Sequence, residues 1–437
     1  MLRLVSTVFI RQIFVGLVQV ATLIIIARYL GNLGMGQYTL AILIPSMLSQ
    51  IITFGIQNAN IFGLGRRMIN KNQAFYINLL FLSVVSILGS LLTVLFLYFF
   101  GELFFQDIPL ELFYVSTLSL LPLTFLTVLP SLLQGIQQFK LFNLACIVQP
   151  IVLFVVVMIA ILIGATVESI LYAFIIANWL VLFIVLAILF KEFSIEVYPI
   201  KEFINNFLGH SLRTHVSNIV TLLNYRASLL LLGAFTSPAL VGVYTVGSQL
   251  VEKLWLPSQA VSTILLPKLS KRFGDGEDEQ KVAYLTLEAA RFTLIVTAII
   301  GVGFIIFLPL ILKYFFGVEY VDSFYIALFL LPGILAWTPS RVLANDLIAR
   351  GFANINLYNS YWVFSINLIL NLIFIPLWGI YGAAIATSIA YTSDLILRAR
   401  AFNKVTNTKA LSMLVPKRED VTKAVEWIKG FKNARRK

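Results

Sequence analysis

Long apolar stretches alternate with short polar segments along most of the chain, and this pattern predicts helices that span a membrane. Residues 79–100, 147–163, 170–190 and 294–312 form stretches near or above the ~18 residues that distinguish a membrane span from a buried helix of a soluble protein. Alternating, strand-like patterning is absent. Because unpaired backbone groups cannot face lipid, helices are the element we expect throughout.

The apolar segments fall into two groups of six, so we expect an all-α integral membrane protein with about twelve transmembrane helices. A first lobe covers 1–190, a cytoplasmic linker 191–208, a second lobe 209–402 and a basic cytoplasmic tail 403–437. We expect an interfacial helix in the linker, and in the tail either a surface helix on anionic lipids or a disordered anchor. The predicted spans are 5–30, 37–63, 74–100, 111–136, 143–164, 169–190, 209–234, 239–266, 284–312, 323–349, 354–376 and 379–402.

The two lobes carry an internal sequence repeat. The segment GQYT at 36–39 is echoed by GVYT at 242–245, and Gly164 lines up with Gly379. An even number of spans in each lobe makes both lobes enter the membrane from the same side, as parallel repeats about an axis along the membrane normal. This arrangement predicts a central cavity between two six-helix repeats.

Composition and charge agree with a membrane protein and predict its orientation. Hydrophobic residues make up 59% of the chain and charged residues 12%, whereas a soluble domain carries about 25% charged residues. The net charge of +12 is concentrated in alternate short loops and in the C-terminal tail, so the positive-inside rule predicts both termini on the cytoplasmic side of the cell membrane. The same distribution makes nucleic-acid binding the weaker interpretation. Cys146 is the only cysteine, which excludes a disulfide within the chain.

Sequence signatures of enzymes and cofactor sites are absent. No HExxH, CxxC, Walker A or GxSxG motif occurs, and the two histidines lack the carboxylate or cysteine neighbours of a metal site. We therefore expect no catalytic residue, no metal and no cofactor. The energy source must then be an ion gradient, the membrane potential or the substrate gradient.

Polar side chains at helical spacing form a stripe on the second span and another on the eighth. These spans are equivalent in the repeat, so the two stripes predict a hydrated cavity between the lobes. The alternative is that small polar residues mediate helix–helix packing, which is common in membrane proteins. The stripes consist of Ser46, Gln50, Thr53, Gln57 and Asn60 on the second span, and of Thr245, Ser248, Glu252, Trp255, Gln259 and Ser262 on the eighth.

Arginines occur at depth in the first span of each lobe. Arg11 and Arg28 lie on the first span, and Arg213 and Arg226 lie on the seventh. A guanidinium group stays charged and binds phosphate oxygens through two hydrogen bonds, so these residues favour an anionic ligand such as a pyrophosphate. For Arg11 and Arg213, snorkelling toward the membrane surface is the alternative.

Acidic groups inside the spans are candidates for ion coupling. Glu252 is central in the eighth span. Asp346 follows Pro332 and Pro339 on the tenth span, where a hinge or coupling site and a simple helix end are both open interpretations. Asp394, near the end of the last span, is expected to be solvated.

Local motifs are similar to those of a known transporter family. The segments ARYLG at 27–31, GQY at 36–38 and IPLWGIYGAAIAT at 375–387 resemble helix signatures of the polysaccharide-biosynthesis (O-antigen) flippases. These belong to the multidrug/oligosaccharidyl-lipid/polysaccharide exporter superfamily. The resemblance implies a flippase that moves a polyprenyl pyrophosphate-linked oligosaccharide across the cytoplasmic membrane by alternating access, for surface polysaccharide export. It also implies cationic residues around a central cavity.

Ten residues are candidates for the functional site. The substrate-binding candidates are Arg11, Arg28, Arg213, Arg226, Gln50, Gln57, Asn218 and Gln259, and the coupling candidates are Glu252 and Asp346. The expected partners are the lipid-linked oligosaccharide, membrane lipids, H⁺ or Na⁺ as coupling ion, and other polysaccharide assembly proteins.

Two other classes of protein remain as alternatives. A cation-coupled multidrug antiporter of the MATE type would use Glu252 as its ion site, although the arginines fit an anionic cargo better. A membrane-embedded glycan polymerase or ligase ranks last, because it normally needs a large external loop and none of the predicted external loops is long.

Overall fold

A computed structural model describes residues 2–105, 107–203 and 209–415, with side chains from residue 11 onward except at 200, 203, 209–214, 263, 264, 267, 271, 274 and 353. Every regular element in these ranges is a helix and none is a strand, as the apolar pattern predicted.

Eight helices form the first half of the molecule. Short 3₁₀ or irregular turns interrupt the second and fourth predicted spans, so these two spans consist of more than one helical segment. The helices are α1 (Leu2–Ile51), α2 (Ile56–Gly65), α3 (Lys71–Phe104), α4 (Leu110–Ser116), α5 (Leu120–Val128), α6 (Pro130–Gly135), α7 (Phe139–Ile163) and α8 (Val167–Glu192).

Seven further helices include the short α9 and build the second half. A 3₁₀ turn at Lys253–Trp255 separates α11 from α12, and a π-helical turn at Leu312–Phe316 ends α13. The helices are α9 (Ile200–Phe203), α10 (Gly209–Phe235), α11 (Pro238–Glu252), α12 (Leu256–Gly274), α13 (Glu279–Ile311), α14 (Ser323–Ala349) and α15 (Ala353–Thr406).

Nine helical stretches among the described residues are long and apolar enough to cross a membrane. Two of them, Arg11–Gly65 and Asn354–Thr406, contain 55 and 53 residues. An uninterrupted helix of that size would extend about 80 Å, far beyond the about 30 Å of a bilayer core. Each stretch contains a glycine with non-helical backbone angles, Gly31 (φ 66°) in α1 and Gly379 (φ 55°) in α15. Only glycine adopts such angles without strain, so these residues divide the long stretches.

Buried apolar side chains form a shared core at one end of the molecule and separate cores at the other. The shared core joins both halves and contains Tyr38 and Tyr244. At the opposite end the first half has its own core around Phe75, and the second half has another around Phe402. We call these the joined end and the split end. The two halves therefore leave space between them toward the split end.

Two glycines allow the closest approach of the halves, at the joined end. A Cβ atom on Gly36 of α1 would overlap the carbonyl of Pro238, and one on Gly242 of α11 would overlap the carbonyl of Asn32. The contact is reciprocal, because each glycine faces the residue four positions before the other. The repeat motifs at 36–39 and 242–245 thus meet each other directly.

The linker between the halves has no regular secondary structure at 193–199. Within the described residues, α8 extends two residues into the linker and the four-residue α9 follows after 193–199, while 204–208 lie outside them. Glu196 accepts a hydrogen bond from Gln73 of α3 at 2.8 Å, which ties the linker to the first half. After α15, Ala410 and Met413 are buried in the core of the second half. The surface helix considered for 417–437 lies outside the described residues.

Candidate functional site

A cavity of about 280 Å³ lies in the space between the halves. Its walls are residues 11–19 of α1, Cys146 of α7 and the junction of α11 with α12. The lining residues are Arg11, Gln12, Val15, Gly16, Gln19, Cys146, Glu252, Lys253, Trp255, Leu256 and Gln259. Most of these side chains are polar, so the cavity can hold water or a polar ligand.

The charged groups in this cavity are incompletely paired. Arg11 stacks on Phe142 at 5.3 Å and interacts with the Cys146 thiol, while its Nη1 has no hydrogen-bond partner in the described part of the chain. Lys253 donates a hydrogen bond to Gln19 Oε1 at 2.9 Å across the two halves. Guanidinium and ammonium groups with spare donors are suited to binding an anion.

Glu252 is the one acid among the lining residues, and two cations surround it. It interacts electrostatically with Arg226 of α10 and with its neighbour Lys253. Arg226 and Lys253 are also close enough to repel each other. Arg11, Lys253 and Arg226 together outweigh the single carboxylate, so the site favours a negatively charged ligand.

The break between α11 and α12 positions these side chains. Pro257 lacks the N–H that would bond to the carbonyl of Lys253 four residues earlier, so the helix cannot continue regularly there. The 3₁₀ turn at Lys253–Trp255 takes its place. Lys253 was not among the predicted site residues. The sequence signal that could have identified it is the charged pair Glu252–Lys253 shortly before Pro257.

The structure brings together three of the predicted site residues and places a fourth beside them. Arg11, Glu252 and Gln259 line the cavity, and Arg226 adjoins it through Glu252. The side chain of Arg213 lies outside the described residues.

Three other predicted residues do not line this cavity. Gln50 is exposed and donates to Ser46 within its own helix at 3.2 Å. Gln57 has a buried Oε1 without a partner in the described part of the chain, and Asn218 is exposed. None of the three contributes to the lining residues given above.

The polar stripes are only partly in a cavity. Asn60 is buried inside the first half and donates hydrogen bonds to Asn78 and Ser131, each at 2.9 Å. Thr245 and Ser248 are buried and bond to carbonyls of their own helix. Packing through small polar groups therefore explains these members, and of the two stripes only Glu252, Trp255 and Gln259 line this cavity.

Arg28 lies at the joined end, where it links the two halves. Its Nη1 donates to the carbonyls of Tyr314 and Phe315 at 3.0 and 3.3 Å, at the π-helical end of α13. Glu319 accepts a hydrogen bond from the backbone N–H of Asn32 at 2.9 Å, just after the break at Gly31. We call these contacts, together with the bond from the Tyr320 hydroxyl to the Ala27 carbonyl (3.0 Å), the latch.

Asp346 is engaged in packing rather than exposed to the cavity. It is fully buried, accepts a hydrogen bond from Thr286 of α13 at 2.6 Å and forms an ion pair with Arg350. Arg350 also reaches Glu279 at 3.1 Å. This network fixes α13 against the end of α14.

Asp394 is a correction to the sequence-based expectation. It is buried, not solvated, and forms an ion pair with Arg398 at 2.8 Å. Ser340 of α14 donates a hydrogen bond to it at 2.6 Å. The spacing of Asp394 and Arg398, four residues apart on one helix, was a readable signal for their ion pair, whereas Ser340 comes from another helix and its contact could not be read from the sequence.

Solved transporters share this fold. A lipid II flippase, MurJ, in an inward closed conformation aligns with a TM-score of 0.74 at 18% identity, covering 93% of this chain and 92% of that one. An inward-facing multidrug resistance transporter of the MATE family aligns with a TM-score of 0.75 at 16% identity, covering 90% and 94%. At these identities the likeness establishes the fold.

Two curated archaeal proteins are similar in sequence. An uncharacterised membrane protein of Methanocaldococcus jannaschii is 24% identical over 347 residues, which is 76% of this chain and 80% of that protein. A probable low-salt glycan biosynthesis flippase of Haloferax volcanii is 24% identical over 180 residues, or 41% of this chain and 38% of that protein.

A family model described as polysaccharide biosynthesis protein matches residues 25–325. The match includes the ARYLG and GQY segments, the repeat motif at 242–245 and the charged junction at Glu252 and Lys253. It covers more than half of the 437 residues. This multi-pass membrane chain belongs to the polysaccharide biosynthesis protein family.

Proposed function

We propose that the protein is a flippase that moves a polyprenyl pyrophosphate-linked oligosaccharide across the cytoplasmic membrane by alternating access, without enzymatic chemistry. The observation that carries this proposal is the cavity between the halves, where Arg11 and Lys253 in the wall and Arg226 beside it outnumber Glu252. The family membership and the name of the Haloferax volcanii relative support the same class of cargo.

Twelve crossings in two parallel six-helix repeats are part of this proposal. The reciprocal packing of Gly36 and Gly242 supports it, because equivalent positions of two repeats are expected to meet at their pseudo-twofold axis. Gly164 ends α7 with φ 158° and Gly379 interrupts α15 with φ 55°, so these aligned glycines both stand at helix junctions. The divisions at Gly31 and Gly379 turn the two longest of the nine stretches into pairs of spans, which makes eleven, and α11 with α12 would form the twelfth.

The positive-inside rule supports a cytoplasmic position for the split end. The junctions at that end carry Arg66, Arg67 and Lys71 in the first half and Arg272 and Arg350 in the second. The joined end, with Glu168, Glu319 and Asp322 near its junctions, then faces outward. In this orientation the cavity is on the cytoplasmic side and the latch closes the outer side.

The cations explain how a pyrophosphate group could leave water. Each charge-assisted hydrogen bond contributes about 1.5–3 kcal/mol, so several are needed to offset the desolvation of the headgroup. Arg11 has an unused donor, and Lys253 can exchange its bond with Gln19 for a phosphate oxygen. The glycan would occupy the hydrated space between the halves, while the lipid chain stays in the bilayer.

A MATE-like antiporter is the second candidate. Glu252 supports it, because a carboxylate in the cavity is a suitable site for H⁺ or Na⁺, and the same group would couple a flippase to an ion gradient. Arg226 and Lys253 flank this acid, however, and an amphipathic cation would meet a net positive cavity.

Transport in proteoliposomes distinguishes the two functions. We expect the Arg11→Gln/Lys253→Gln variant to move a fluorescent polyprenyl pyrophosphate-linked saccharide at least tenfold more slowly than the native protein, since two charged contacts are lost. Arg66→Gln is the matched control, because Arg66 stacks on Phe62 away from the cavity. Equal flipping by all three proteins would refute the flippase proposal. Uptake of a cationic dye that Glu252→Gln abolishes, with no lipid flipping, would establish the antiporter instead.

A further inference from the structure

A second, smaller cavity lies inside the second half, separate from the space between the halves. It has a volume of about 70 Å³ and is lined by α10, α14 and α15. A single water needs about 10–15 Å³ measured in this way, so several waters or one small polyatomic ion can fit. Its walls include Asn224 and Tyr225, Trp337 and Arg341, and Asp394 with Arg398.

Arg398 and Asp394 satisfy each other in this cavity. Arg398 Nε donates to both carboxylate oxygens of Asp394 at 2.8 and 2.9 Å, and its Nη1 donates to Asn356 at 2.9 Å. Asp394 also accepts the hydrogen bond from Ser340. The one acid in the cavity wall is therefore fully used by these partners.

Arg341 has no such partner. Among the described residues it makes no hydrogen bond or ion pair, and its guanidinium stacks on the Trp337 ring at 5.1 Å. Arg398 repels it electrostatically. Arg341 lies eight residues before the end of α14 at Ala349, or about 12 Å of helix. A guanidinium at that depth is costly unless water or an anion compensates its charge.

Two neutral donors face the same space. Asn224 Oδ1 accepts a hydrogen bond from Asn367 at 2.9 Å, which leaves the amide nitrogen of Asn224 as a donor. The Tyr225 hydroxyl makes no hydrogen bond to another described residue and interacts electrostatically with Arg341. The unpaired polar groups of the cavity are thus one cation and two donors.

We propose that this cavity is a second anion site, in which Arg341, Tyr225 and Asn224 bind a small oxyanion of the carboxylate or phosphate class. The proposal does not rest on the proposed flippase function, because its observations concern only residues of the second half. Trp255 lines the larger cavity and stacks on Trp337 at 4.7 Å, so one aromatic layer separates the two cavities. The oxyanion is either a free ion or an acidic group of the cargo.

Phosphate binding to the purified full-length protein tests the site. Potassium phosphate would be titrated at constant ionic strength, kept with potassium gluconate, while tryptophan fluorescence is recorded, since Trp337 lies directly against Arg341. We expect a saturable signal in the native protein and at least a tenfold rise of its apparent Kd in Arg341→Gln. Tyr225→Phe, which removes only a hydroxyl, should raise the apparent Kd severalfold. This variant tests the site even if Arg341→Gln does not fold.

Matched variants decide where the phosphate binds. Arg66→Gln should leave the apparent Kd unchanged. Arg11→Gln/Lys253→Gln should still show the Arg341-dependent fluorescence signal. If the signal vanished in this variant and persisted in Arg341→Gln, the proposal would be overturned. The absence of saturation in the native protein would overturn it as well. If a lipid-linked pyrophosphate competes with phosphate, the anion is a group of the cargo; if it does not compete, the site takes a free anion.

Discussion

Asp346 and Arg350 show how a buried charge is held in the membrane-embedded part of this protein. Asp346 is completely buried, and its partners are Thr286 on a neighbouring helix and Arg350 one turn later. Burying an ion costs several kcal/mol, which such contacts offset only when the group is fully satisfied. The sequence places Asp346 within a span, but it cannot show that Thr286 lies opposite.

The two carboxylates that contact Arg350 should differ greatly in their effect on stability. We expect Asp346→Asn to lower the free energy of unfolding by about 3 kcal/mol, because it leaves a buried guanidinium without its buried counter-charge. Glu279→Gln is the matched control: its side chain is 74% exposed, and exposed ion pairs contribute about 1 kcal/mol or less. Thermal denaturation in the same detergent measures both. Equal midpoints for the two variants would show that Arg350 does not depend on Asp346.

The four predicted arginines show that residue type and depth in the membrane do not determine which way a side chain points. Arg11 lines the cavity and Arg226 adjoins it, whereas Arg28 binds backbone carbonyls of the other half at the joined end. Depth along a helix follows from position in the sequence. The direction of each side chain depends on the rotation of the helix and on what the opposite helix presents, and neither can be read from a single chain.

At the scale of the helix, a change in helical type altered the predicted cavity wall. The stripe on the eighth span assumes a regular α-helix that turns 100° per residue. The 3₁₀ turn at Lys253–Trp255 advances by about 120° per residue, so the phase shifts after Glu252. Lys253 also lines the cavity, although it directly follows Glu252 and lies about 120° farther around the turn, so the wall is wider than a single helical stripe. Hydrophobic periodicity identified the helices reliably but could not locate this break.

The contact of α1 with α11 should depend on the absence of a side chain at Gly36. A methyl group there would meet the Pro238 carbonyl, which is backbone and cannot rotate away, so the two helices must separate. We expect Gly36→Ala to destabilise the protein by about 1–3 kcal/mol, as overpacked sites do. Thermal denaturation provides the measurement.

Gly303 on α13 is the control for this substitution, since a Cβ there has no neighbour within 4 Å. Gly303→Ala should be neutral or slightly stabilising, because alanine favours the helix. If Gly36→Ala were as stable as Gly303→Ala, the close crossing of α1 and α11 would be wrong.

For the molecule as a whole, the repeat and the charge pattern predicted two halves but not how they meet. The motifs at 36–39 and 242–245 identified equivalent positions of the two halves, and the structure adds that their glycines face each other. The shared core at one end and separate cores at the other depend on contacts between residues hundreds of positions apart. The relative tilt of two helix bundles cannot be predicted from a single sequence. Which end of the molecule is closed and which is open is therefore known only from the structure.

The latch is expected to hold the joined end shut and so to decide from which side the cavity is reached. Arg28 and the buried hydroxyl of Tyr320 both bond to carbonyls of the opposite half. Each contact contributes about 1 kcal/mol or more, so removing both shifts the equilibrium between closed and open joined ends by about tenfold or more.

Cys146, the only cysteine, lines the cavity, so its rate of modification by a thiol reagent measures this change without an introduced cysteine. In vesicles of known orientation, an impermeant thiol reagent should modify native Cys146 mainly from the split end. Arg28→Ala/Tyr320→Phe should raise labelling from the joined end about tenfold, because the population with that end open increases. Lys313→Ala is the control, since Lys313 lies at the same end and its ammonium group lies over the Tyr314 ring of its own half. Unchanged labelling from the joined end in the double variant would mean that the shared core alone keeps the halves together. The apolar contacts around Tyr38 and Tyr244 would then outweigh the hydrogen bonds of the latch.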